Sequence, residues 1–148
     1  MILMKTALIF LWVYAAMIAA SFWEAYVEGK QAWDKGKLGW KIRYKNIVIL
    51  TAYHFWLFFV SYPLLIFLPL AIFGFERELF GILLSAYSSG LVIEDFFWFV
   101  VNPVFGFKNW NSRHVKWYPW VNLGFMEIPL YYTFGILIAI LSWYFLWR

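Results

Sequence analysis

The stretch LFGILLSAYSSGLVIEDFFWFVV, residues 79–101, decides how this chain folds. Its uncharged part, residues 79–93, is 15 residues long. As a helix that covers about 22 Å, short of the ~30 Å hydrocarbon core of a bilayer. A helix that crosses must therefore run on through Glu94 and Asp95 into Phe96-Phe97-Trp98-Phe99-Val100-Val101. Both carboxyl groups then lie inside the span, roughly 10 Å from its nearer edge. Ionisable groups at that depth are costly unless paired, and they mark a functional site.

The rest of the chain agrees with a membrane reading. A composition that is 65% hydrophobic, 26% aromatic and only 14% charged excludes an ordinary soluble domain. The 148 residues suffice for a single transmembrane domain, residues 1–148. Three further runs carry no Asp, Glu, Lys or Arg: residues 6–23, 46–75 and 128–147. The expected fold is an all-α, integral membrane four-helix bundle with helices at about 4–28, 46–73, 78–101 and 127–147. The first run is read as a retained span, because aromatics and Glu24 stand where a signal peptide has its small-residue cleavage site. The second is long for one perpendicular helix, and Pro63 and Pro69 predict a kink.

Charge sets the expected orientation. Lys30, Lys35, Lys37, Lys41, Arg43 and Lys45 fall in loop 1, and Lys108, Arg113 and Lys116 in loop 3. Only Lys5, Arg77 and Arg148 fall on the opposite side. The positive-inside rule places loops 1 and 3 in the cytoplasm and both termini outside an inner, or cell, membrane. The net charge of +4 is then a topology signal and a contact for anionic lipid headgroups, with no nucleic-acid partner implied. Trp23, Trp33, Trp40, Trp110, Trp117 and Trp120 lie in or beside these loops, as an interfacial belt would. The aromatic-rich loop 3 is expected to lie on the membrane or fold back into it. The absence of cysteine excludes thiol-ligated metal centres and thiol chemistry, and no Gly-rich loop suggests a nucleotide.

The titratable residues gather at one end of this scheme. Glu24 and Glu28 are four apart at the end of helix 1 and share a face, and Gly29 is the expected C′ residue. Carboxylates there oppose the helix dipole and call for a cation: a loop lysine, a metal or a buried histidine. His54 sits about 12 Å into helix 2, at the depth of the acidic pair; hydrogen bonding to a neighbouring backbone group would equally account for it. Ser88, Asp95 and Asn102 recur every seven residues on helix 3 and define a polar stripe, while Glu94 shares its face with Tyr87 and Trp98. One of the two acids is expected to serve the site and the other a loop cation. Asn102-Pro103 terminates that helix. His114 lies in loop 3, where a solvated histidine is the plain reading. Glu127 complements the dipole at the start of helix 4.

Together Glu24, Glu28, His54, Glu94, Asp95 and His114 form a candidate set of ligands for a divalent metal such as zinc, manganese or iron. No HxxxH, HxxE or ExxH pair occurs, so the metal reading rests on convergence alone. Without a metal, Glu94, Asp95 and His54 are the acid–base candidates, acting on a lipid-like or isoprenoid substrate. A proton-coupled transporter or an accessory subunit of a membrane complex are the alternatives, and a homo-oligomer or membrane complex is the expected assembly.

Trp23-Glu24, Glu28-Gly29-Lys30, Glu94-Asp95-Phe96-Phe97-Trp98-Phe99 and Asn102-Pro103, followed by a later His, resemble a family of small uncharacterised prokaryotic membrane proteins. That resemblance implies a polytopic membrane fold and singles out these residues, without an activity. Glu94-Asp95-Phe96-Phe97 is also similar to the acidic pair and aromatics of small membrane lycopene cyclases. That likeness implies carboxylates as proton donors and rings as carbocation stabilisers, but the chain has no companion proline–acid motif.

Overall fold

The computed structural model describes residues 2–33, 36–44 and 47–148. Lys35 and Lys45 of the first loop, and Asn46 where the second helix was expected to start, lie outside the described residues. The chain is mostly helical. Helix α1 spans Ile2–Glu28, and α2 is the apolar segment Ala52–Ile66. Then come α3, Leu68–Phe73, α4, Arg77–Val101, and α5, Leu130–Trp147. Met4–Glu28, Arg77–Val101 and Leu130–Trp147 are long and apolar enough to cross a membrane.

The expectation of an all-α fold needs correction, because two short antiparallel hairpins interrupt the helices. Strand β1, Lys41–Tyr44, pairs with β2, Ile47–Thr51, in the register Lys41↔Thr51 and Tyr44↔Ile47. Residues 47–51 read IVILT, a β-branched cluster that favours extended backbone. The helix expected from residue 46 therefore begins at Ala52. Thr51 supplies the boundary: its backbone is extended, and its Oγ1 accepts the His54 amide at 3.3 Å. The second hairpin pairs β3, Trp120–Asn122, with β4, Glu127–Pro129, around Gly124 at φ +86°. It moves the start of the last helix from 127 to Leu130.

Prolines shape the second segment. Seven residues of α2, Phe55–Ser61, are wound as a wider π-helix. Pro63 has no N–H to offer Phe58, five residues back, and the Tyr87 hydroxyl of α4 donates to that carbonyl instead. The helix then breaks at Phe67 (φ −88°, ψ 4°), two residues before Pro69.

Helix α4 runs unbroken through Glu94 and Asp95, with α1 and α5 packed against it. One cluster of buried residues joins Val13 and Met17 of α1 to Ala86 and Tyr87 of α4. A second joins Ala25, Ala32, Trp98, Phe99 and Val115, with Phe105, Trp110, Trp117 and Trp120 packed around it. The aromatic-rich loop thus folds back over the ends of α1 and α4, and three tryptophans expected in an interfacial belt pack there. At the end of α1, Gly29 takes φ +54° and its amide bonds Ala25 O at 3.0 Å. Asn102, held extended by Pro103, donates from Nδ2 to Gly29 O at 2.8 Å and so ties the ends of α1 and α4 together.

Contact between α4 and α5 depends on Gly135. A Cβ there would lie 2.8 Å from Val92 Cγ2 and 2.9 Å from the backbone oxygen of Ser88. The oxygen belongs to a helix backbone and cannot turn aside. Gly135→Ala is therefore expected to lower stability by about 1–3 kcal/mol, read as a fall in the thermal unfolding midpoint. An unchanged midpoint would show that the helices separate freely.

Candidate metal and acid–base site

Four side chains from three helices meet beside the first hairpin. Glu24 and Glu28 stand one turn apart at the end of α1, and His54 is in the first turn of α2. One ligand atom from each of these three lies within 4.8 Å of the other two, so the group could hold a metal ion. Glu94 of α4 brings its carboxyl group close enough to Glu24 for the two to interact electrostatically. Glu24, His54 and Glu94 are 4%, 3% and 3% exposed, so bulk water does not screen the cluster.

Each member is positioned by neighbours. His54 Nδ1 lies 2.7 Å from Thr51 Oγ1, so the residue that caps the helix also aims the ring. The imidazole is stacked between Trp33 (centroids 4.2 Å apart) and Phe58 (5.9 Å). Trp33 is held by Nε1 donating to Val48 O at 2.6 Å, and its φ of +62° lies in a region that L residues rarely adopt. His54 Nε2 is left 3.6 Å from Glu28 Oε1. Tyr53 donates to Glu24 Oε1 at 2.8 Å. Lys37 Nζ lies 2.6 Å from Glu28 Oε1, donates to Gln31 O at 3.0 Å and sits 5.3 Å from the centre of the Tyr53 ring. A lysine is thus one cation that answers the charge at this helix end.

Glu94 Oε1 is buried without a hydrogen-bond donor. Two carboxyl groups facing each other as Glu24 and Glu94 do need a shared proton or a bridging cation. The arrangement is suited to holding either.

Asp95 belongs to a different constellation. Tyr118 donates to its Oδ1, and Tyr132 to its Oδ2 at 2.6 Å. The Tyr131 ring packs 4.8 Å from that of Tyr118 and 4.9 Å from that of Tyr132. Burial, reinforced by the charge of Asp95, holds the Tyr118 phenol well above its ordinary value, so it stays protonated and donates. Of the two adjacent acids, Glu94 interacts with Glu24 of α1 and Asp95 binds tyrosines. Ser88, Asp95 and Asn102, which the spacing placed on one stripe, have separate tasks: Ser88 packs against Gly135, Asp95 binds tyrosines and Asn102 binds α1. His114 is also corrected. It is exposed, with Nδ1 2.8 Å from Asn111 Oδ1, and lies outside the ligand cluster. A position in a loop carries no information about depth. Glu127 accepts the Ser112 amide at 3.3 Å and binds the loop to β4.

A cavity of about 670 Å³ opens beside the cluster, with Glu24, Glu28, His54, Glu94 and Asp95 in its wall. The rest of that wall is apolar or aromatic, and Tyr44, Ile49 and Phe59 in it are exposed on the outer surface. A second cavity of about 630 Å³ is lined by Glu28, Gln31, Lys37, Tyr53 and Ser61. Glu28 belongs to both. Comparison with protein-family models, curated proteins and solved structures finds no match.

Tyr118→Phe would strip Asp95 Oδ1 of its donor. The expected cost is about 1–3 kcal/mol, read by thermal unfolding, with metal content unchanged. Loss of metal at undiminished stability would instead place Asp95 in the site.

Proposed function

We propose that this chain is a multi-pass membrane protein that binds a divalent metal through Glu24, Glu28 and His54, with its site facing the cytoplasm. The metal would serve acid–base chemistry on a lipid-like substrate held in the adjoining cavity. The observation that carries this reading is the convergence of three buried ligand side chains on the wall of an apolar chamber. Two carboxylates and an imidazole suit zinc, manganese or iron(II), and three protein ligands leave a coordination position for water or substrate. Glu94 and Glu24, buried carboxyl groups that interact electrostatically, are the proton-handling pair.

Four spans are the membrane arrangement we infer. Helices α2 and α3 cover residues 52–73, which at 1.5 Å per residue reach about 33 Å and match a bilayer core when counted as one broken span. Loops 1 and 3 then face the cytoplasm. Transport across the membrane has less support. Away from the acidic cluster, Tyr14, Ser85, Ser89 and Trp147 bond to one another and to backbone carbonyls and offer no carboxylate relay.

Two measurements test this reading. Elemental analysis of the protein purified without chelators should find close to one zinc, manganese or iron per chain. Glu28→Gln should lower the affinity at least about tenfold, a loss of ~1.4 kcal/mol. Lys37→Met should raise it, because the lysine competes for the same oxygen. A folded wild-type protein that neither contains nor takes up any of the three metals overturns the proposal.

For topology, cysteines introduced at the exposed positions Leu38 and Lys116 should resist an impermeant thiol reagent in intact cells and react once the cells are opened. Ready labelling of both in intact cells reverses the orientation.

A further inference from the structure

The cavity wall is chemically one-sided. Glu24, Glu28, Glu94, Asp95 and His54 are its titratable acids and imidazole, and no lysine or arginine is among its described lining residues. The local cation, Lys37, lines the second cavity instead, where Glu28 and Gln31 already engage it. An anionic head group would therefore meet carboxylates with no counter-charge.

Three buried polar atoms of the described residues in this wall have neither a hydrogen bond nor an ion pair: a carboxylate oxygen of Glu94, and Trp98 Nε1 and the Tyr131 hydroxyl, which are neutral donors. Glu94 Oε1 is buried and accepts from no donor, whereas both Asp95 oxygens are held by tyrosines. A metal on Glu24, Glu28 and His54 would still leave that oxygen open. The same wall carries the aromatic side chains of Trp33, Phe58, Trp98 and Tyr118. Carboxylate and aromatic faces together are the surroundings in which an ammonium group is favoured, by charge and by the ring quadrupole. An alcohol could give Glu94 one hydrogen bond, whereas an ammonium group brings a hydrogen bond and an opposite charge together. On its outer side the wall reaches exposed, apolar Phe59 of α2, so a long chain can enter sideways from the lipid. A volume of about 670 Å³ falls within the usual range for a site that encloses a small organic ligand.

We propose that the cavity takes a cationic amphiphile, a long apolar chain ending in an ammonium head, and that Glu94 receives the head. This rests on the reading of the cavity as the substrate chamber, but not on the metal.

The test uses the full chain in nanodiscs of zwitterionic lipid at pH 7. Three photoreactive probes share one sixteen-carbon diazirine chain and differ in the head: primary amine, hydroxyl or carboxylate. Labelled peptides are mapped by mass spectrometry, and lipid-facing peptides around Leu11 and Ile136 give the background. The amine probe should label cavity peptides around Phe58 and Leu91 at least about tenfold more than the alcohol, and the carboxylate no more than background. Glu94→Gln should abolish the amine preference while alcohol labelling stays as in wild type, which also reports that the cavity is intact.

Equal labelling by amine and alcohol, preference for the carboxylate, no cavity labelling at all, or an amine preference that survives Glu94→Gln would each overturn the proposal. If Glu94→Gln does not fold, the ratio between heads in the wild type decides. Metal content measured on the same samples separates the two readings. Metal without amine preference overturns only this inference, and amine preference without metal only the metal.

Discussion

Carboxylates buried at the C-terminal end of a helix are the constraint on which this structure turns. Glu24 and Glu28 occupy the last turn of α1, where unpaired carbonyls already make the local field negative. Removed from water, they require donors and cations close at hand. Much of the surrounding structure meets that need. Tyr53 and His54 come from the start of α2, Lys37 from the connecting loop and Glu94 from α4. The first hairpin ends at Thr51, which both starts α2 and orients the imidazole, so chain path and site chemistry are set by one residue.

Asp95 shows a second way to meet the same need. Its charge is answered by phenols, neutral donors carried by the aromatic loop and by α5. The two adjacent carboxylates of α4 thereby reach opposite surroundings. Glu94 faces another acid; Asp95 faces hydroxyl groups. Residues neighbouring in sequence diverge by about 100° on a helix, and that divergence puts one in a reactive cluster and the other in a structural one.

Much of the site was legible in the sequence for particular reasons. The short uncharged run before Glu94 forced the helix to continue through both acids, and the four-residue spacing of Glu24 and Glu28 placed them on one face. His54 was linked to them by a depth counted from a helix start at residue 46. The helix starts at Ala52, so His54 joins the cluster from its first turn and not by that depth. The β2 strand was not legible, because IVILT sits in a longer apolar run whose length suited a helix, and apolar runs without periodicity read alike. Thr51 was the available signal, as a capping residue inside that run. Tyr118 and Tyr132 are 23 and 37 residues from Asp95 and carry no pattern that points to it. Nor did anything distinguish Lys37 from the other basic residues of its loop. Its role comes from tertiary folding.

Glu28 lines both cavities, so their walls have a residue in common. On one side are Lys37 and Gln31; on the other, aromatic walls lead to the apolar surface. One carboxylate thus borders a chamber with a lysine in its wall and another whose wall is largely aromatic. Under the proposed reading, a site built this way would work as a phase-transfer device: neither reactant would have to leave the solvent that suits it.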